Sequence, residues 1–362
     1  MTAVIPVRHG ILDIPRYRAG AAPAAPPGVR PHKLSSNEHF LDPLPEVLAA
    51  LAGSTGVNRY PDATARPLRE AVAEAFGVSA DAVLPGAGSL EVLSRILQAY
   101  TGGGADGEAD EVVFAWRSFE AYPIAIAAVG ATPRPVALTP QGEHDLDAMR
   151  AAVGPRTRVV ILCSPNNPTG PALGHTETAD FVRALPADVL VVVDEAYGEF
   201  VRRPDALDTL ALARRHRNVV VVRTLSKAHG LAALRVGYAI GDPDVFDPVW
   251  RVVLPFPVSA SAEVAAVASL RALPRVLERA EAVVRERELL VDGLRERGIG
   301  HPDAHGNFVW LPVGDRAAEL ADAAGRAGLS VRAFAGDGVR VSVGERDATE
   351  HTLAVLDAFS RS

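Results

Sequence analysis

A single cysteine, Cys163, stands among 362 residues, so no disulfide can close within this sequence and a reducing compartment is the natural setting. Cys163 ends the apolar run Val159–Leu162, which reads as a small core hydrophobe rather than a nucleophile. Long basic runs and zinc-ligand spacings are missing as well. The net charge of -7 is spread along the chain, which argues against a nucleic-acid surface and leaves a small molecule as the expected partner. No apolar stretch approaches the ~20 residues that cross a bilayer. The opening MTAVIPVRHG has neither the basic start nor the apolar core of an export signal, so the expected location is the cytoplasm.

What the chain does have is apolar content, 48% against 22% charged, enough for a large core divided between two lobes. Residues 19–31 (AGAAPAAPPGVRP) are too rich in proline, alanine and glycine for a packed element, and residues 1–32 are expected to form an N-terminal arm, extended across a surface. Beyond it come short β-branched runs: Val112–Phe114, Val159–Leu162, Val189–Val193, Val219–Val222 and Val236–Ile240. Continuous apolar runs suit strands buried on both faces. Between them, Leu68, Val72, Ala75 and Phe76, then Leu90, Leu93, Ile96 and Leu97, recur at helical spacing. The alternation predicts an α/β large domain over 33–255 with a mainly parallel sheet. Glu278–Arg297 predicts an amphipathic helix leading into a smaller α+β domain (256–362), with strands at Asn307–Leu311 and Val339–Val343. TGGGADGEAD (101–110) follows a helix and reads as a surface turn.

The reactive side chains fall just after these strands, where ligands of parallel α/β sheets gather. Lys227, in RTLSKAHGLAALR, follows Val219–Val222 with Thr224, Ser226 and Arg235 nearby. A partly desolvated ammonium near another cation has a lowered pKa and can attack an aldehyde, as a Schiff-base lysine does. Pyridoxal 5'-phosphate is the aldehyde that fits. Asp194 ends Val189–Val193, and a carboxylate there keeps a pyridine nitrogen protonated. Tyr197 and Asn167, the latter in the tight loop SPNNPTG, can reach the ring's 3' oxygen. In LPGAGSLEVL the amides of Gly88, Ser89 and Leu90 open a helix and suit a phosphate, with Arg235, Ser226 and Thr224 completing the cup. FAWRSFEAY supplies Phe119 to stack on the ring.

In order and spacing these residues resemble the fold-type I pyridoxal-phosphate enzymes, specifically the class I/II aminotransferases and their histidinol-phosphate aminotransferase branch. The likeness runs from KLSSNE (33–38) through NRYPD (58–62), PNNPTG, VVDEAY and RTLSKAHGLAALR to GVRVSVG (338–344). Within the branch, WRSFEAYP, RVGYAIGDPDV and NFVWLPVG resemble actinobacterial-type aromatic, or phenylalanine, aminotransferases. The resemblance implies that Lys227 carries the cofactor and shuttles the substrate's α-proton, with Asp194 on the ring nitrogen, Tyr197 and Asn167 on the 3' oxygen and Phe119 on the ring. It implies that Tyr60 reaches the phosphate of a neighbouring subunit's cofactor, hence a homodimer. Arg340 matches the arginine that binds the substrate's anionic group, and Tyr17, Asn37 and Asn307 match positions lining the site. Three departures stand out: SNEHFLDPLP replaces the usual SNENPFGPSP near the substrate entrance, His229 stands where a bulky aromatic is usual, and Ala233 replaces a glycine. His229 reads as structural.

The expected reaction is a ping-pong amino transfer between an aromatic amino acid and a 2-oxo acid. Histidinol phosphate is the alternative substrate, since Arg340 can grip a phosphate and Arg332 can add a second cation. Decarboxylation, elimination and oxidation on the same fold form a further alternative. A non-catalytic cofactor-binding module, as in fused transcription regulators, is the remote one.

Overall fold

The valine-rich runs become the interior of one seven-stranded sheet. The computed structural model describes residues 7, 10–17, 20, 27–103 and 107–361. Its large sheet comprises β1 (Val83–Gly86), β2 (Glu111–Trp116), β3 (Thr132–Ala137), β4 (Thr157–Cys163), β5 (Leu190–Asp194), β6 (Val219–Thr224) and β7 (Gly237–Ile240). In space the order is β1-β7-β6-β5-β4-β2-β3. Neighbours pair in parallel except at β7, which runs antiparallel to both β1 and β6. The two faces are covered by different side chains. Val192, Val220 and Val222 pack with Leu93, Ile96 and Leu97 on one face. Val191, Val193 and Val219 pack with Phe181 and Leu212 on the other. Strands enclosed in this way have no polar face, which is why their sequence reads as unbroken apolar runs.

Two strands of the large sheet lie where no strand is expected. β1 runs into LPGAGSLEVL, read above only for the amides that open its helix, and is four residues long. β3 carries Pro133 and Pro135, which break the ordinary strand signature. Proline lacks a donor and is tolerated at a sheet edge, and β3 is the edge, paired to β2 alone and largely exposed.

The C-terminal residues build an antiparallel sheet of β8 (Phe308–Leu311), β9 (Arg332–Phe334) and β10 (Gly338–Ser342), in the order β9-β10-β8. The long helix facing it starts at Leu273 rather than Glu278 and ends at Glu296. Pro274 sits in its first turn, where a missing N–H goes unneeded. Leu290, Val291 and Leu294 of that helix share a core with Val309, Leu311, Val341 and Leu356. The segment after the arm joins this unit: His32–Lys33 pairs in parallel with Leu329–Ser330, and the Leu34 carbonyl accepts from Ser342 N at 2.9 Å. That anchoring delivers residues 35–37 to the seam with the large sheet.

Much of the expected arm lies outside the described residues, including 18–19 and 21–26, as do 104–106 of TGGGADGEAD. The flanking Gly103 and Ala109 form an antiparallel bridge. Among the described residues no helix is long and apolar enough to cross a membrane.

Gly237, the first residue of β7, shows how tightly the fold meets the site. A Cβ there would stand 2.5 Å from Ser89 N and 2.7 Å from Gly88 C. These are backbone atoms that cannot step aside. Gly237→Ala is therefore expected to lower the unfolding free energy by about 2 kcal/mol, measured by urea unfolding of cofactor-free protein. A loss under about 0.5 kcal/mol would mean that the turn relaxes freely.

Candidate active site

Because β1, β2, β4, β5 and β6 run in parallel, their carboxyl ends open on one edge of the sheet. A cavity of about 540 Å³ lies there, within the range of cofactor sites. Lys227, Asp194, Tyr197, Asn167 and Phe119 all line it. At its far end Ser89, Leu90, Thr224, Ser226 and Arg235 line it too.

Lys227 is enclosed, with its Nζ donating to the carbonyls of Asn37 at 3.2 Å and Ser36 at 3.4 Å. Burial first, then the positive charge of Arg340, lower its pKa to about 7. The amine is thus available near neutrality. On the adjacent strand, Asp194 is buried, and burial raises its pKa while a hydrogen bond from Tyr122 opposes the rise. Tyr122 Oη donates to Asp194 Oδ2 at 2.6 Å. Oδ1 is buried without a partner among the described residues. A buried carboxylate oxygen with nothing to accept from calls for an N–H donor in the cavity.

Asn167 and Tyr197 have their roles fixed by neighbours. Arg340 Nη1 donates to Asn167 Oδ1 at 2.5 Å. Since arginine only donates, the side-chain NH₂ of Asn167 is the part left for an acceptor. Tyr197 Oη accepts from Asn37 Nδ2 at 3.0 Å, so its own proton is free to be given. Asn37 is held in turn by Ser342, whose hydroxyl donates to Asn37 Oδ1 at 2.8 Å. Asn307 stands behind, with Nδ2 donating to the Asn37 carbonyl at 3.0 Å.

The phosphate-like end is cationic and rich in N–H groups. Helix Ser89–Tyr100 begins there after Gly88, whose φ of 95° suits glycine. The Arg235 guanidinium lies so close that a Cβ on Gly88 would meet Nη2 at 2.6 Å. Arg235 Nη1 also lies 3.4 Å from Ser226 Oγ. An anion is favoured by the helix start and the guanidinium together.

A second cavity of about 180 Å³ adjoins the first and is lined by Tyr17, Asn37, Glu120, Arg332 and Arg340. Arg340 Nη2 donates to the Ser35 carbonyl at 2.8 Å, and its buried Nε has no partner among the described residues. Arg332 Nη2 donates to Glu120 Oε2 at 2.8 Å. Tyr60 alone stands apart. It is 82% exposed and stacks on Phe256 at 4.5 Å, away from both cavities. His229 lines neither cavity, is buried with Nδ1 2.7 Å from Ser269 Oγ, and is held to a pKa of about 4 by burial. Cys163 forms part of the cavity floor, its thiol pushed up to about 12 by burial. An inert thiol agrees with its reading as a core residue.

Sequence reasoning missed Tyr122 and Glu120. Both lie in FAWRSFEAY, where Phe119 alone was singled out, and Tyr122 is three residues on, beside it in the first turn of the helix Ala121–Val129.

Comparison with characterised proteins decides the family. A family model described as aminotransferase class I and II matches residues 31–356. The aromatic amino acid aminotransferase of Streptomyces avermitilis is 48% identical over 356 residues, which cover 98% of each chain. The chain belongs to the class I and II aminotransferases. An aromatic amino acid aminotransferase of Thermobifida fusca is 46% identical over 98% of this chain and 97% of its own. The histidinol-phosphate aminotransferase of Sinorhizobium meliloti, solved in complex with pyridoxal 5'-phosphate, shares the fold, with a TM-score of 0.85 over 99% of this chain and 100% of its own at 23% identity.

As an aminotransferase of this family the enzyme depends on pyridoxal 5'-phosphate. The residues present fit that group. The orphaned Asp194 Oδ1 meets the need of a pyridine N–H, the cationic far end suits a phosphate, and a low-pKa amine lies between.

The lowered pKa of Lys227 sets a pH dependence for the cofactor-free aminotransferase. A depressed pKa favours the neutral, nucleophilic form, so uptake of pyridoxal should rise through about pH 7 and level off above about pH 8, unlike an ordinary lysine near 10.4. Absorbance-monitored uptake checks this. A rate still climbing steeply at about pH 9 would show that the amine is not depressed, and Lys227→Ala should abolish stable attachment.

Proposed function

We propose that this aminotransferase exchanges the amino group of an aromatic amino acid for the oxo group of a 2-oxo acid. The observation that carries the reading is 48% and 46% identity, over nearly the whole chain, to proteins named aromatic amino acid aminotransferase. The site supports it. Arg340 offers an unpartnered buried Nε beside a wall formed by Phe119, Tyr17 and Phe334. A guanidinium matches a carboxylate, and the rings suit an aromatic side chain.

Bound pyridoxal phosphate supplies an electron sink for the substrate's α-carbon. The chain's own groups do the rest. Lys227 would hold the cofactor in the resting enzyme, and its Nζ, once free, would take the α-proton, since a pKa near 7 lets one amine both accept and return a proton. Asp194 Oδ1 would hold the pyridine nitrogen in its protonated state. Tyr197 and Asn167 would donate to the 3' oxygen, Tyr197 oriented by the Asn37 amide at its Oη and Asn167 by Arg340 at its Oδ1. Ser89, Leu90, Thr224, Ser226 and Arg235 would hold the phosphate, and Phe119 would pack on the ring. Arg340, already braced on Asn167 and Ser35, receives the α-carboxylate.

The enzyme works as a homodimer in the cytoplasm, its large cofactor-binding domain lying within 33–255 and its small domain formed by 256–362 together with the 32–34 segment that pairs with it. Tyr60, exposed at 82% and stacked on the exposed Phe256, lies on the surface that a second copy covers, from which it reaches the partner's phosphate.

A half-reaction panel tests the substrate. Holoenzyme mixed separately with phenylalanine, tyrosine and histidinol phosphate should lose its bound-cofactor absorbance rapidly with the first two and slowly with the third. The reverse order would assign the enzyme to histidinol phosphate. Continuous turnover of donor without an oxo acid would instead mean a lyase or decarboxylase. Arg340→Gln should raise KM for phenylalanine by about a hundredfold while the cofactor stays bound. Unchanged steady-state kinetics would remove Arg340 from the site.

A further inference from the structure

Arg332 and Arg340 are direct cross-strand partners on β9 and β10. Their guanidiniums both lie against Phe334, 5.7 and 6.0 Å from its ring centre. Like charges placed opposite one another on a sheet repel. The large sheet answers this with Glu120, which follows β2 and forms an ion pair with Arg332 across the seam. The pair is mostly enclosed, with side chains 16% and 31% exposed, so solvent screens it only in part. Nearby, Arg117 is paired with Asp337 and adds no net charge. Arg340 forms no ion pair with a carboxylate among the described residues. Among the described residues, these two arginines and one glutamate therefore give the anion end of the second cavity a net charge of +1.

We infer that Glu120 selects the charge of the substrate: by holding Arg332 it fits the cavity to a singly charged carboxylate and against a phosphate monoester. A carboxylate brings one negative charge, whereas a phosphate monoester brings about −1.5 to −2 at neutral pH and needs a second cation to receive it. Binding a phosphate here costs Arg332 its bond to Glu120 or places the phosphate beside a carboxylate. Both oppose binding. Glu120 is thus a specificity-determining residue built into the wall rather than a group that touches the reacting atoms.

This inference rests on Arg340 receiving the substrate's anion, and its test is chosen to fail separately from that reading. Wild-type, Glu120→Gln and Glu120→Asp holoenzymes are titrated with two unreactive acids, 3-phenylpropanoate and 2-phenylethyl phosphate, by calorimetry. Glu120→Gln should improve phosphate binding relative to carboxylate binding by about tenfold, and Glu120→Asp, which keeps the charge, should keep the wild-type ratio. Adding Arg332→Gln to Glu120→Gln should erase the gain. In the same variants, the ratio of kcat/KM for histidinol phosphate to that for phenylalanine should move with the binding ratio. An unchanged binding ratio in Glu120→Gln, or a gain that survives loss of Arg332, would overturn the inference. If wild-type enzyme ignores phenylalanine while the binding ratio shifts as stated, the aromatic reading fails and the charge filter stands.

Discussion

The site depends on two ionisable groups of opposite character enclosed on adjacent strands. Asp194 ends β5, and Lys227 follows the end of β6. Enclosure shifts the two pKa values in opposite directions, the carboxyl's upward and the amine's downward. On a surface, hydration of the charged forms would remove both shifts. The seven-stranded sheet creates the condition by burying its central valines on both faces while leaving its carboxyl edge open. The remaining groups of the site refine what that enclosure makes reactive: Tyr122 fixes one oxygen of Asp194 and leaves the other, and Arg340 adds positive potential beside the amine.

Hydrogen bonding gives the site its directionality. Arg340 occupies the acceptor of Asn167 and Asn37 donates to Tyr197, which leaves the Asn167 side-chain N–H groups and the Tyr197 O–H to donate. The chain Ser342–Asn37–Tyr197 crosses from the C-terminal sheet to the large domain through the Asn37 side-chain amide, which accepts at Oδ1 and donates at Nδ2. Preorganisation of this kind spares the reaction the cost of turning dipoles.

The sequence revealed the interior of the fold better than its edges. β4, β5 and β6 are legible because strands buried on both faces must be apolar throughout, and the polar residue that breaks each run marks the open edge. β3 is not, because an edge strand accepts Pro133 and Pro135 and has no burial pattern to betray it. Lys227, Asp194 and Asn167 could be read from local position alone. Tyr122 could not, because its value lies in a bond to a residue 72 positions away. Arg332 could be picked out as a second cation, but Glu120 and its pairing with Arg332, 212 positions away and across the two sheets, carried no local signal.

One connection gives the molecule a mechanical linkage. Residues 32–34 are stitched to the C-terminal sheet by main-chain bonds, and two residues later the same strand of backbone hands the carbonyls of Ser36 and Asn37 to the Lys227 amine. The tether is too short to slacken. A small rotation of the C-terminal unit therefore pulls directly on the acceptors that orient the amine, so the tilt of a whole lobe is geared to the aim of one nitrogen.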